Sequence, residues 1–271
     1  MKSCDYCGKQ NEEALTFCAE CGTDLSLPDL TPPPVPGAPH TLNVKNATII
    51  WIVTFAAQVV GCILTLVVVS IFEPAQAKFS ARVAELQTFM PVLFLAALIA
   101  GGAGMLATIS KFKLQVKDTS PTGAAWVPGS WEAIIKGVGI GMLIFMASHI
   151  LLHFSSHHPG YREFRLGISR VFYVIATVVL APPLEEMLYR GVLFGGFCQS
   201  LGLDRAAIGT TAIFVLLHAP QLAIQPLATF GITAMAIAAL WMRLSNRSIG
   251  PAIGVHFGFN ALATLSVLIH R

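Results

Sequence analysis

The stretch Ala181-Pro-Pro-Leu-Glu-Glu-Met-Leu-Tyr-Arg190 places two adjacent carboxylates and an arginine in a part of the chain that is otherwise apolar. A charged side chain at the centre of a membrane helix costs roughly 2.5–3.5 kcal/mol on insertion scales. Later apolar segments add His218, His256 and Asn260. Several such groups together indicate one buried polar site, and they predict chemistry inside a lipid bilayer.

The composition of the whole chain supports a membrane protein. Hydrophobic residues make up 55% of the 271 positions and charged residues only 11%, whereas soluble domains have about 25% charged residues. The formal net charge of +3 is too small to indicate a nucleic-acid partner. The first residues lack an apolar core of the kind found in signal peptides, so we expect no cleavable signal.

Four of the six cysteines form two short pairs, Cys4-x-x-Cys7 and Cys18-x-x-Cys21, each followed by glycine. Such pairs turn two thiolates toward one point, and two pairs supply the four sulfurs of a tetrahedral Zn²⁺ site. We therefore predict a closed, structural zinc ribbon at residues 1–25, whose folding free energy comes from the metal. Two disulfides in an exported segment are the alternative, disfavoured because no export signal precedes them.

After a proline-rich linker at residues 26–46, the chain is predicted to be a multi-pass membrane domain at residues 47–271. About 20 apolar residues suffice to cross the hydrocarbon core as a helix. The expected fold is all-α, a polytopic membrane bundle of about seven or eight helices. The helices are expected at residues 48–72, 89–109, 134–154, 168–180, 184–197, 206–218, 222–243 and 249–269. Pro182-Pro183 is expected to interrupt the helix between the fourth and fifth of these.

The expected location is a bacterial cell membrane, with the N-terminus in the cytosol. The predicted ribbon resembles short zinc ribbons at the start of bacterial membrane proteins, and cytosolic thiols stay reduced. The cytosolic side would then also hold three lysines, Lys111, Lys113 and Lys117, in agreement with the excess of positive charge in cytoplasmic loops. The opposite orientation is favoured, if the third predicted helix is a simple span, by Arg162, Arg165 and Arg170.

Helical geometry divides the acidic motif into two functions. Glu186 and Arg190 are four residues apart, so they lie about 40° apart around a helix and can form an ion pair. Glu185 points about 100° away from Glu186 and is left to face a cavity. Because burial and nearby charges shift a carboxyl pKa, Glu185 is the candidate general base.

The later polar residues complete a candidate catalytic set. His218 ends the pattern Phe214-x-x-x-His218, and His256 and Asn260 share one helix face. Two histidines and Glu185 suffice to hold either an active-site metal, for which Zn²⁺ is expected, or a polarised water, with an amide to stabilise an oxyanion. A lone membrane histidine more often bridges helices, but the ordered occurrence of all three patterns favours catalysis.

The patterns EExxxR, FxxxH and HxxxN follow one another at residues 185–190, 214–218 and 256–260. In this order they resemble the motifs of the CAAX-protease and bacteriocin-processing (CPBP, or ABI) intramembrane endopeptidases, over about residues 130–271. The resemblance implies an all-helical membrane fold with a cavity open to lipid and cytosol. It also implies cleavage of a peptide bond by an activated water.

Six residues form the catalytic set that the resemblance implies: Glu185, Glu186, Arg190, His218, His256 and Asn260. Glu185 would be the general base, His218 and His256 would position water or metal, and Asn260 would stabilise the oxyanion. The ion pair would support the site. A prenylated CaaX tail, a bacteriocin leader and an unrelated membrane peptide all remain open as substrates.

Two other functions compete with proteolysis. The first is a non-catalytic membrane scaffold or bacteriocin-immunity-type protein that keeps the polar cluster for helix packing. The second is a transporter or proton relay, which is disfavoured because no paired motif in the first half suggests an inverted repeat. The expected partners are the bilayer, a membrane peptide or protein substrate and, for the ribbon, a cytosolic protein.

Overall fold

The computed structural model describes residues 1–4, 8–21, 25, 42–72, 79–153, 169–219 and 228–269. One predicted zinc ligand, Cys7, lies outside these residues, as do most of the predicted linker and both Arg162 and Arg165. At the N-terminus, strands β1 (Lys2–Ser3) and β2 (Gln10–Asn11) pair antiparallel.

The described part of the membrane domain is a bundle of seven helices. Six of them, all except α5, are long and apolar enough to cross a membrane. The predicted all-α, polytopic fold is therefore confirmed, and the chain is an integral membrane protein. The helices are α1 (Val44–Phe72), α2 (Phe79–Phe112), α3 (Trp131–His153), α4 (residues 169–201), α5 (Leu203–Leu217), α6 (Ala228–Asn246) and α7 (Gly250–Ile269).

The outer surface of the bundle is apolar, as lipid requires. On α1, Ile63 is 53% exposed, Leu64 59% and Ile71 70%. A contiguous apolar surface of this kind marks a membrane or partner contact. The polar side chains Thr54 and Thr65 on the same helix instead donate to main-chain oxygens one turn earlier.

The predicted interruption at Pro182-Pro183 is wrong, because α4 remains helical through both prolines. An α-helical segment (Ala181–Glu186) lies between two π-helical segments, Ile175–Leu180 and Met187–Leu193. The prolines occupy the first turn of the α-helical segment, a position that tolerates a missing N–H. Both acidic residues of the motif are consequently carried on one continuous helix.

Helices α3 and α7 pack with their backbones in contact. A Cβ added at Gly258 would collide with the main chain of Val138, and one at Gly254 would lie 2.6 Å from the carbonyl oxygen of Ile134. Small residues permit this close approach in membranes, where packing rather than hydrophobic burial drives helix association. His256 lies between these two glycines, so its position is fixed against α3.

Candidate active site

The centre of the site is a buried ion pair on α4. Arg190 Nη1 donates to Glu186 Oε1 at 2.9 Å, and Nη2 donates to the carbonyl oxygen of Ala236 on α6 at 3.2 Å. The guanidinium carbon lies 4.2 Å from the centre of the Phe214 ring on α5. Both charged side chains are at most 3% exposed. The predicted pair is thus present, and it joins three helices.

His256 continues this chain of hydrogen bonds toward the other glutamate. Its Nδ1 lies 2.8 Å from Glu186 Oε1, and an ionised carboxylate only accepts, so Nδ1 carries the hydrogen. Its Nε2 faces Glu185, 4.0 Å from Oε2. Glu186 therefore sets both the tautomer and the orientation of His256.

Glu185 and His218 lie on the wall of one cavity of about 350 Å³ between α1, α2, α4 and α5. Glu185 is 20% exposed, in contrast to its fully buried neighbour Glu186. His218 ends α5, and its Nδ1 lies 2.8 Å from the carbonyl oxygen of Phe214. Because that oxygen only accepts, the neutral ring keeps an acceptor lone pair on Nε2.

Phe214, the first residue of the FxxxH pattern, organises the rings of the site. It is fully buried, and its ring centre lies 4.7 Å from that of His218 and 5.9 Å from that of His256. Tyr189 packs edge-on against it at 5.2 Å. One aromatic ring thus holds both imidazoles and the guanidinium of Arg190 in place.

Asn260 is not among the residues that line the cavity. Its Nδ2 donates to the carbonyl oxygen of Thr177 at 2.9 Å, within the first π-helical segment of α4. The Thr177 hydroxyl lies 3.1 Å from that of Thr264 on α7. Asn260 therefore bridges α7 and α4 through one N–H of its amide, and its role as an oxyanion donor stays a prediction.

The proposed intramembrane metal ligands do not converge in this structure. Zn²⁺ ligands at about 2.0–2.2 Å from the ion lie within about 3.6 Å of one another. Among the described residues, only three thiols form a His, Cys, Asp and Glu group with all ligand atoms within 4.8 Å of one another. Glu185, His218 and His256 do not meet that distance, so their arrangement does not fit a three-ligand metal site.

Those thiols belong to Cys4, Cys18 and Cys21 at the N-terminus. The sulfurs of Cys4 and Cys21 are 3.5 Å apart, close to the separation of about 3.8 Å in a tetrahedral site with Zn–S bonds of about 2.3 Å. Asn11 Nδ2 donates to the Cys18 sulfur at 3.4 Å, as amides often do to metal-bound thiolates. The cluster could therefore hold a metal ion.

A second buried arginine, Arg243 on α6, escaped the sequence analysis. It is 1% exposed, and its Nε donates to the carbonyl oxygen of Arg190 at 3.3 Å. Its Nη2 donates to the carbonyl oxygens of Ser120 and Gly123 at 2.9 and 2.6 Å. The sequence could have indicated Arg243, because placing an arginine in an apolar segment costs free energy there just as it does at Arg190.

The loop before α3 also contacts the second π-helical segment of α4, through Trp126. Trp126 Nε1 donates to the carbonyl oxygen of Met187 at 3.2 Å. Met187 and Arg190 both belong to the second π-helical segment, whose altered hydrogen-bond pattern is common at functional sites. Trp126 and Arg243 therefore hold the segment that follows the two glutamates.

One comparison with known proteins gave a match. Residues 167–262 match the family model described as type II CAAX prenyl endopeptidase Rce1-like. The match is shorter than the expected residues 130–271, but it includes all six predicted catalytic residues. Neither the curated proteins nor the solved structures gave a match.

The fold is that of an integral membrane protein, and the matched family indicates a protease. Over residues 167–262 the chain is similar to the CAAX-protease family, which supports the resemblance that the three motifs carry. The individual catalytic roles stay predictions.

Proposed function

We propose that the chain is an intramembrane endopeptidase that hydrolyses a peptide bond with a water activated by Glu185. The chain of contacts from Arg190 through Glu186 to His256 carries this proposal. These three groups bond to one another and are buried, whereas Glu185 lies on the cavity wall. Glu185 is therefore the carboxylate available to a water and a substrate.

The proposed reaction begins with a water between Glu185 and His218. Glu185 accepts one proton of the water while the water oxygen bonds to the carbonyl carbon of the scissile peptide. The second hydrogen is held by the Nε2 lone pair of His218, which orients the water. The carbon–nitrogen bond then breaks, and Glu185 returns its proton to the leaving amine, so that one water is consumed for each peptide bond.

His256 and its partner support the general base. The distance of 4.0 Å between His256 Nε2 and Glu185 Oε2 is too long for a direct hydrogen bond. A single bridging water would satisfy both atoms. Since Glu186 fixes the His256 ring, the bridge would hold the carboxylate of Glu185 toward the cavity.

The substrate class we propose is a C-terminal CaaX-type peptide with a prenylated cysteine. The family name describes a CAAX prenyl endopeptidase, and the cavity is lined by apolar side chains such as Phe94, Leu98 and Met105. An apolar cavity bounded by membrane helices suits an isoprenoid chain that enters from the bilayer. The same cavity brings the attached peptide to Glu185.

For the N-terminal module we propose a structural Zn²⁺ site on the cytosolic side. Cytosolic thiols stay reduced, which would keep those of Cys4, Cys18 and Cys21 able to bind a metal ion. Limited proteolysis of right-side-out and inverted vesicles would test the orientation. Removal of the ribbon only in inverted vesicles is expected, and removal in right-side-out vesicles would overturn it.

The decisive variant for proteolysis is Glu185→Gln, which keeps the shape of the side chain and removes the base. In proteoliposomes, cleavage of a quenched-fluorescent peptide ending in farnesylated cysteine and three further residues should fall by about 10²–10⁴-fold. Cleavage by His218→Ala should fall by a similar factor, and circular dichroism should show an unchanged helix content. Glu132→Gln removes an exposed carboxylate at the start of α3 and serves as the matched control.

The outcome separates proteolysis from the scaffold alternative. If Glu185→Gln cleaves within twofold of the unmodified protein, Glu185 is not the base and the mechanism fails. If the unmodified protein cleaves neither prenylated nor unprenylated peptides, the proposed function fails as a whole.

A further inference from the structure

Gln58 is a polar side chain on α1 that the proposed mechanism does not use. It lies within a candidate membrane span, is half-buried and lines the same cavity as Glu185 and His218. None of the residues that the structure describes forms a hydrogen bond with its carboxamide. An amide without a partner is costly in an apolar environment, so its position in the cavity wall points to a ligand.

Two threonines of α1, Thr54 and Thr65, differ from Gln58 because their side chains have hydrogen-bond partners. Thr54 Oγ1 donates to the carbonyl oxygen of Ile50 at 2.7 Å, and Thr65 Oγ1 to that of Gly61 at 2.8 Å. Their polar groups are thus satisfied within α1. The carboxamide of Gln58 instead extends from the helix toward α2 and the cavity.

Two adjacent glycines on α2 allow the position of Gln58 along the helix bundle to be compared with that of Glu185, the proposed general base. A Cβ added at Gly101 would lie 2.6 Å from Gln58 Cγ, and one at Gly102 would lie 3.0 Å from Leu184 Cδ2. Adjacent helical residues differ by about 1.5 Å along the axis. Gln58 and Leu184 therefore meet α2 at nearly the same depth, and Leu184 immediately precedes Glu185 in the chain.

The chemistry of the carboxamide indicates which part of a substrate it recognises. A glutamine side chain both donates and accepts hydrogen bonds, and the main chain of an extended peptide offers both partners. An isoprenoid chain offers neither. The neighbouring cavity residues Phe55, Phe94 and Leu98 are apolar and suit such a chain, which leaves the amide for the peptide.

We propose that Gln58 hydrogen-bonds the main chain of the peptide in the cavity and thereby contributes to binding of the substrate beside Glu185. The inference rests on the proposed function, and it assigns a substrate-binding residue to α1. This helix lies outside the segment that matches the protease family. Gln58 binds but takes no part in proton transfer.

The first test is the kinetics of Gln58→Met, which keeps the length and volume of the side chain and removes its polar atoms. With the farnesylated quenched-fluorescent peptide, KM should rise about tenfold, as expected for one hydrogen bond, while kcat stays within twofold. Thr65→Val, on the same helix, is the matched control and should leave both constants unchanged. An unchanged KM in Gln58→Met would overturn the proposal.

Ester-substituted peptides test whether the contact is to the main chain. Replacing one amide by an ester removes the N–H and weakens the carbonyl acceptor at that position. At the contacted position, the ester should weaken binding to the unmodified protein about tenfold and to Gln58→Met hardly at all. If no ester position along the peptide shows this coupling, Gln58 does not contact the main chain and the inference is wrong.

Binding experiments keep this inference separate from the proposed function. The Glu185→Gln variant with and without Gln58→Met can be titrated with a fluorescent peptide, either farnesylated or with a free thiol. A weakening of equal size for both peptides supports a main-chain contact, even if no peptide is ever cleaved. A weakening confined to the farnesylated peptide would overturn it, because the amide would then act on the lipid.

Discussion

The two polar clusters of this protein are built in opposite ways. The thiol cluster draws Cys4, Cys18 and Cys21 from one short piece of chain with two-residue strands, so little besides a metal can hold it together. The intramembrane cluster draws its groups from α4, α5, α6 and α7, and they bond mainly to one another. A cluster of the first kind would depend on a bound ion, whereas one of the second kind depends on helix packing.

The largest effect should come from breaking the buried ion pair. Glu186→Gln leaves Arg190 charged with weakened pairing in a buried position, and removing one partner of such a pair typically costs about 3–5 kcal/mol. The midpoint of unfolding in detergent should fall accordingly, and Glu132→Gln should not change it. The double variant Glu186→Gln with Arg190→Met should recover part of the loss. A loss below about 1 kcal/mol in the single variant would contradict a cluster held by its own pairing.

A smaller effect is expected from Arg243→Met, which removes the contacts to the loop and to the carbonyl oxygen of Arg190. Because these contacts position the segment that follows Glu185, we expect kcat to fall about tenfold with little change in KM. Arg243→Lys should not restore it, since lysine lacks the planar fork. Arg205→Met, at an exposed arginine of α5, is the control. A fall in thermal stability with unchanged kcat would show that Arg243 has only a structural role.

The smallest effect on cleavage should follow loss of the thiol cluster. Cys4→Ser with Cys18→Ser should lower bound zinc by one ion per chain and leave kcat/KM within twofold. Cys62→Ser, on α1, should change neither quantity. A parallel loss of zinc and cleavage would show that the two clusters are coupled. One zinc per chain retained by the double variant would place an ion in the membrane domain, against the donor geometry described above.

Local periodicity accounts for what could be predicted about the intramembrane site. A spacing of four residues places Glu186 beside Arg190 in any helix, and that pair is present at 2.9 Å. The direction of Glu185 toward a cavity follows from the same geometry. The predicted helix break at the prolines of α4 is wrong, because they are tolerated between two π-helical segments that the spacing of residues does not reveal. The predicted oxyanion role of Asn260 stays untested, and its bond to Thr177 depends on a neighbouring helix.

The sequence by itself determined that this chain is a membrane bundle and which residues are too polar to be there by chance, because the cost of burying charge is a property of residue type. It also determined the order of the three motifs that resemble those of a protease family. Only the tertiary structure decided which polar groups satisfy one another and which face the cavity. That division depends on distances between helices far apart in the chain, as the contact of Glu186 with His256 and the exposure of Glu185 and Gln58 to one cavity show.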